Sequence, residues 1–137
     1  MMEISQAKIY CNNKKTLDQL SDDLIRNGFS VSSIHEEMQE QDKDRVMRDF
    51  RTGMTRVLIS TDLIARGKDV YQVSLVINYD IPKVENYIHR IGRSGIFGRK
   101  GVAINLITPE DNDVLVQIQQ YYNTNIQELP SDLSNIN

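Results

Sequence analysis

Short apolar runs alternate with amphipathic stretches along most of this chain, and that alternation limits its fold more than any other feature. "AKIYC" (7–11) predicts a buried strand, and "TLDQLSDDLIRNG" then places Leu17, Leu20, Leu24 and Ile25 at helical spacing before Gly28 stops it. The plan repeats. "FSVSSI" (29–34) predicts a strand, 39–51 a helix with Val46, Met47 and Phe50 on one side that ends near Gly53, and "RVLIS" (56–60) another strand. After a glycine-containing loop come "SLVINY" (74–79), a helix from Pro82 to about Ile91, and "GVAINLI" (101–107). The last helix has Thr108 as N-cap, Pro109 at the first helical position and Glu110 and Asp111 in the first turn. Its apolar face is Val114, Leu115, Ile118 and Tyr122. Strands alternating with helices in this way predict an α/β fold, a parallel sheet of about five or more strands with helices on both faces.

In such sheets, ligands bind beyond the carboxyl ends of the strands. "CNNKK" follows the first strand, "STDLIARGKD" the third and "NYDIP" the fourth, so these polar clusters share one edge. "HRIGRSGIFGRKG" (89–101) precedes the fifth strand and has to be carried to that edge by its helix. It holds four cations and four of the seven glycines of a chain whose net charge is -3. Glycine lets backbone approach a ligand closely and arginine pairs in bidentate fashion with phosphate oxygens, so the segment points to an anionic ligand.

Composition narrows the choices. With 16 Lys+Arg against 19 Asp+Glu, the chain does not wrap duplex DNA by bulk charge, and any nucleic-acid contact needs a local patch. The single cysteine, Cys11, excludes an internal disulfide framework and fits a reducing compartment. No apolar run approaches membrane-spanning length, and "MMEISQAKIY" lacks a signal-peptide layout. The 137 residues are expected to form one domain, soluble and intracellular, with no membrane partner.

"STDLIARGKDV", "LVINYDIP" and "YIHRIGRSGIFGRKG", in this order and spacing, resemble motifs V, Va and VI of the DEAD-box RNA helicases, and the tail "YYNTNIQELP" resembles that of their initiation factor 4A branch. The resemblance implies that residues 1–137 are a carboxy-terminal RecA-like domain, one half of an RNA-dependent ATPase. The chain contains neither a GxxxxGKS/T loop nor a DEAD tetrad, so ATP and its magnesium would be held mainly by an amino-terminal RecA-like domain outside it, and the chain alone should not hydrolyse ATP. The resemblance further implies single-stranded RNA as partner, a translation-initiation scaffold as a second one, a monomeric state, and a cytoplasmic location with a nuclear RNA role as the alternative.

Residue by residue, the resemblance implies that Arg93 is the catalytic arginine finger reaching a γ-phosphate from the second domain. Asp69 would accept from a ribose hydroxyl of ATP. Arg66 either touches nucleotide or braces its loop. His89 and Arg90 would link the motif to the partner domain and the nucleotide, although a structural histidine explains His89 nearly as well. Thr61 would meet an RNA phosphate or cap a helix, or both. Lys43 would supply charge to the RNA backbone. Arg51 and Gly53 resemble a further backbone-contacting segment, and a helix terminus explains them equally well. Lys14 and Lys15 read as solvated. No metal ligand set is expected, and such RNA contacts would be sequence-independent.

Six positions depart from the family pattern. Ile96 replaces a second arginine of motif VI, and Lys68 stands beside Asp69 where an apolar residue is usual. Glu40 and Lys43 take the places of a Gln-x-x-Arg pair, and "HEE" (His35, Glu36, Glu37) replaces HGD. The added negative charge should weaken RNA affinity. An alternative of a different class follows, a catalytically weakened domain that serves as a protein-binding or regulatory module.

Overall fold

The described residues form a five-stranded parallel sheet in the order β2-β3-β1-β4-β5. The computed structural model describes residues 6–61, 73, 75–92, 102–122, 126 and 128, with the side chains at 88, 89, 91 and 92 excepted. Its strands are β1 (Ala7–Cys11), β2 (Val31–Ile34), β3 (Val57–Thr61), β4 (Leu75–Asn78) and β5 (Val102–Asn105). Between them lie α1 (Lys14–Arg26), α2 (Glu40–Arg51) and α3 (Val84–Gly92), and after β5 a 3-10 turn (Pro109–Asp111) leads into α4 (Asn112–Tyr121). No helix among the described residues is long and apolar enough to cross a membrane.

The predicted α/β fold is present, and the core explains why. Side chains alternate across a strand, so β1 offers Ile9 and Cys11 to one face and Tyr10 to the other. Ile9, Cys11 and Ile59 meet Leu17 of α1, with Leu20 and Leu24 packed beside them. On the opposite face, Ile34 and Leu58 meet Phe50 of α2, and Tyr10 and Val76 meet Tyr87 of α3 and Ile118 of α4. The predicted faces of α2 and α4 are the buried ones, Val114, Leu115 and Tyr122 included. Ile25 is not: it lies 54% exposed, one residue past the stripe that reaches the sheet.

Both early helices end on a glycine at positive φ. After α2, Gly53 has φ of +84°, its N–H donates to the Phe50 carbonyl at 3.1 Å, and the Met54 N–H donates to the Asp49 carbonyl at 2.8 Å. This pair of bonds caps the orphan carbonyls of the last turn and requires a left-handed residue. Gly28 (φ +87°) does the same for α1, and the Phe29 N–H is used on Leu24. Phe29 and Ser30 therefore belong to the helix exit, and β2 starts at Val31 instead of residue 29. The other strand limits move in the same way. β4 runs Leu75–Asn78 within the expected 74–79, and β5 stops at Asn105, leaving Leu106 and Ile107 exposed beyond the end of its neighbour. α1 begins two residues before the expected start because the Asn13 side chain accepts from the Thr16 N–H at 2.9 Å. Thr108 and Asp111 form the expected start signal as a capping box, although the first turn is 3-10.

Substituting Gly53→Ala is expected to destabilise the chain by about 1 kcal/mol, since a Cβ disfavours that φ while meeting no neighbouring atom. Urea unfolding checks it, with a lowered midpoint and an unchanged slope as the result.

Candidate functional site

The carboxyl edge of the sheet is set by Cys11, Ile34, Thr61, Asn78 and Asn105 and by the residues that follow them. The chain leaves β1 toward β2 on one side and later adds β4 on the other, so the strand order reverses between β1 and β4. An open α/β sheet has its crevice at such a point. Here the crevice is filled by Arg90 of α3, which is 0% exposed. Its Nη1 donates to the Asp80 carbonyl at 2.6 Å and to Asn78 Oδ1 at 3.4 Å, and its Nη2 donates to Asn12 Oδ1. The guanidinium carbon also stands 5.9 Å from the centre of the Tyr10 ring, within cation–π range.

Asn12 continues the tie. Its backbone N–H donates to Asp80 Oδ2 at 3.0 Å and its Nδ2 to the Ile81 carbonyl at 3.2 Å. The loops after β1 and β4 are thus held against each other by one buried cation and one asparagine. Behind them, Asn78 Nδ2 donates to Asn105 Oδ1 at 2.7 Å, and Asn105 Nδ2 lies 3.4 Å from the Tyr87 hydroxyl. Burial raises the Tyr87 pKa above its ordinary value, against the opposing effect of the Asn105 bond.

A second cluster lies at the end of β3. Thr61, 2% exposed, donates its hydroxyl to Glu36 Oε2 at 2.6 Å. That bond holds the Glu36 carboxyl below the usual range; burial opposes it, and its own backbone, His35 and Lys43 assist. Lys43, in the first turn of α2, is half-buried and places Nζ 3.5 Å from Glu40 Oε1. The two positions that depart from Gln-x-x-Arg therefore face each other.

Thr61, Lys43 and Arg90 stand on the expected edge. Arg51 and Gly53 do not: α2 runs from the carboxyl edge back to the start of β3, about 15 Å of strand away from Thr61. Arg51 spends its Nε on the Met47 carbonyl at 3.3 Å, and Gly53 is the helix stop, which is the terminus role the sequence offered for them. Arg90 spends its guanidinium on Asn12, Asn78 and Asp80, which gives it a positioning role between the loops after β1 and β4. Lys14 pairs with Asp18 at 2.8 Å on the helix surface, and the same bond raises its pKa. Arg93, Asp69, Arg66, Lys68 and Ile96 lie outside the described residues, and of His89 only its place in α3 is described.

Sequence reasoning did not single out Asn12, Asn78, Asp80 and Asn105. An asparagine or aspartate ending or following each of two neighbouring strands, in "YCNN" and "INYD", is the signal that marks them. Among the described residues no group of three or more His, Cys, Asp or Glu side chains could hold a metal ion.

The helicase conserved C-terminal domain matches residues 1–98, and the chain belongs to that family. It is 57% identical over 136 residues to the ATP-dependent RNA helicase FAL1 of Eremothecium gossypii and 52% identical over 136 residues to eukaryotic initiation factor 4A of Drosophila melanogaster. Each comparison covers 98% of this chain and 34% of the relative, so the chain spans about a third of these curated relatives. The solved C-terminal domain of the DEAD-box protein Dbp5 superposes with a TM-score of 0.84 at 41% identity, over 96% of this chain and 78% of that one. Dbp5 of S. cerevisiae bound to RNA and ADP BeF3 superposes at 0.77 with 42% identity, over 87% of this chain and 32% of that one. Within the family, the fold is the RecA-like carboxy-terminal domain of the DEAD-box group, of initiation factor 4A type.

Replacing Arg90 with Lys is expected to cost about 3 kcal/mol of folding stability, because one ammonium cannot serve Asn12, Asn78 and the Asp80 carbonyl together. Chemical denaturation measures it; a loss within the ~0.5 kcal/mol of a surface substitution would remove the brace from the account.

Proposed function

We propose that this chain is the second RecA-like domain of an ATP-dependent RNA helicase, giving an arginine finger to hydrolysis and part of a sequence-independent site for single-stranded RNA backbone. The observation that carries the reading is the convergence of "CNN", "NYD" and Thr61 on one sheet edge, with Arg90 of the "HRIGR" segment binding the first two together. The RNA and ADP BeF3 held by the Dbp5 neighbour support it.

In this reading the ATP phosphates and magnesium are held mainly by an amino-terminal domain, and ATP brings the bond to be cleaved. This chain's part is to place Arg93 where charge develops on the transferred phosphoryl group, with Asp69 accepting from the ribose and Arg66 beside it. Arg90 fixes the carboxyl end of α3, from which Arg93 follows directly. Thr61 and Lys43 meet RNA phosphates through a hydroxyl and an ammonium, which carry no base information. The partners are the first domain, single-stranded RNA and a translation-initiation scaffold, for a monomer working in the cytoplasm.

The test joins this chain to the first domain of a relative such as the Drosophila factor and measures ATP hydrolysis with and without RNA. RNA-stimulated turnover is expected, falling on the order of a thousandfold in Arg93→Ala. A fusion that stays inert until Ile96→Arg is introduced would instead make this domain a binding module silenced at that position.

A further inference from the structure

Glu36 lies in the turn that leaves β2, two residues before Met38, which packs against the Ile34, Phe50 and Leu58 cluster. The turn is closed by the Met38 N–H on the His35 carbonyl at 3.2 Å and by the Glu37 N–H on His35 Nδ1, also at 3.2 Å. Glu36 is therefore delivered to the end of β3 by an anchored backbone, and its carboxylate accepts from Thr61 at 2.6 Å. Thr61 is 2% exposed, so its hydroxyl has little freedom to turn elsewhere.

A carboxylate oxygen and a phosphate oxygen make the same demand on a hydroxyl: each is an anionic acceptor of a short bond. They also compete for the same cation. Lys43 attracts Glu36 while its Nζ faces Glu40, so both groups assigned to RNA phosphate already answer to carboxylates of this chain.

We propose that Glu36 is an internal competitor for the RNA backbone, occupying the Thr61 hydroxyl so that a phosphate enters only when the carboxylate leaves. The inference rests on the RNA reading of Thr61 above and makes Glu36 an affinity-setting residue of that site. It follows from geometry that Glu36→Gln and Glu36→Gly should differ. Glutamine removes the charge and keeps an acceptor for Thr61, whereas glycine removes both and frees the hydroxyl.

The experiment measures the affinity of the chain for a single-stranded oligouridylate by NMR titration, at low and moderate salt. The variants are Glu36→Gln, Glu36→Gly, Thr61→Val and the Glu36→Gly/Thr61→Val pair, each checked for folding by its urea midpoint. Expected is a gain of a few-fold for Glu36→Gln and about tenfold for Glu36→Gly over the natural chain, the size of one charge-assisted hydrogen bond. The glutamine gain should shrink as salt screens the lost repulsion, and the glycine gain should vanish in the pair. If Thr61→Val weakens binding but both Glu36 variants match the natural chain, the RNA site stands and the competition is overturned. If oligouridylate binding is absent throughout, or indifferent to Thr61→Val, the RNA reading of this edge fails and takes the proposal with it. Should the glycine variant not fold, the glutamine gain and its salt dependence decide.

Discussion

One buried guanidinium organises the working edge of this domain. The strand order brings β1 and β4 side by side with a crevice at their carboxyl ends. Arg90 fills it, donating to Asn12, Asn78 and the Asp80 carbonyl from a helix that starts two residues after "DIP". Burying a charge is costly unless its hydrogen bonds are met, which is why three acceptors and the Tyr10 ring converge on it. The result is a fixed platform: the loop after β1, the loop after β4 and the start of the motif VI segment keep one mutual geometry.

The remainder of the edge depends on that platform in a graded way. Thr61 ends β3 directly beside Cys11, so its position is set by the ladder shared with β1. Lys43 rides on the first turn of α2, whose far end is stopped by Gly53 at the opposite edge. What differs from a simple phosphate cradle is the sign of the local field. Glu36 and Glu40 stand against Thr61 and Lys43, so these groups together carry excess negative charge, in keeping with an overall charge of -3.

The sheet and its helices were legible because their apolar periods are strong: Leu17, Phe50 and Ile118 are buried where the spacing predicts. The resemblance of the three motif segments was equally plain. What the sequence left open depends on contacts distant along the chain. The role of Arg90 turns on Asn12, 78 residues away, and no local pattern distinguishes a bracing arginine from one that touches nucleotide. Arg51 and Gly53 were ambiguous because a helix stop and a phosphate-contacting loop use the same residue types; the direction of α2 places them at its far end. Glu36 was visible as unwanted negative charge, yet its bond to Thr61 needs the pairing of β2 with β3 to be known. The strand limits at Phe29 and Leu106 differ from expectation because Phe29 belongs to the exit of α1 and apolar character continues past Asn105, the last ladder partner of β5.

The measurement that bears most directly on the Arg90 platform is amide hydrogen exchange in the natural chain and in Arg90→Lys. If one guanidinium holds the edge together, exchange should accelerate jointly at residues 11–13 and 78–82, while the exits of α1 and α2 around Gly28 and Gly53 keep their protection. Acceleration confined to one of the two loops, or spread evenly over the whole sheet, would contradict the claim that Arg90 couples them.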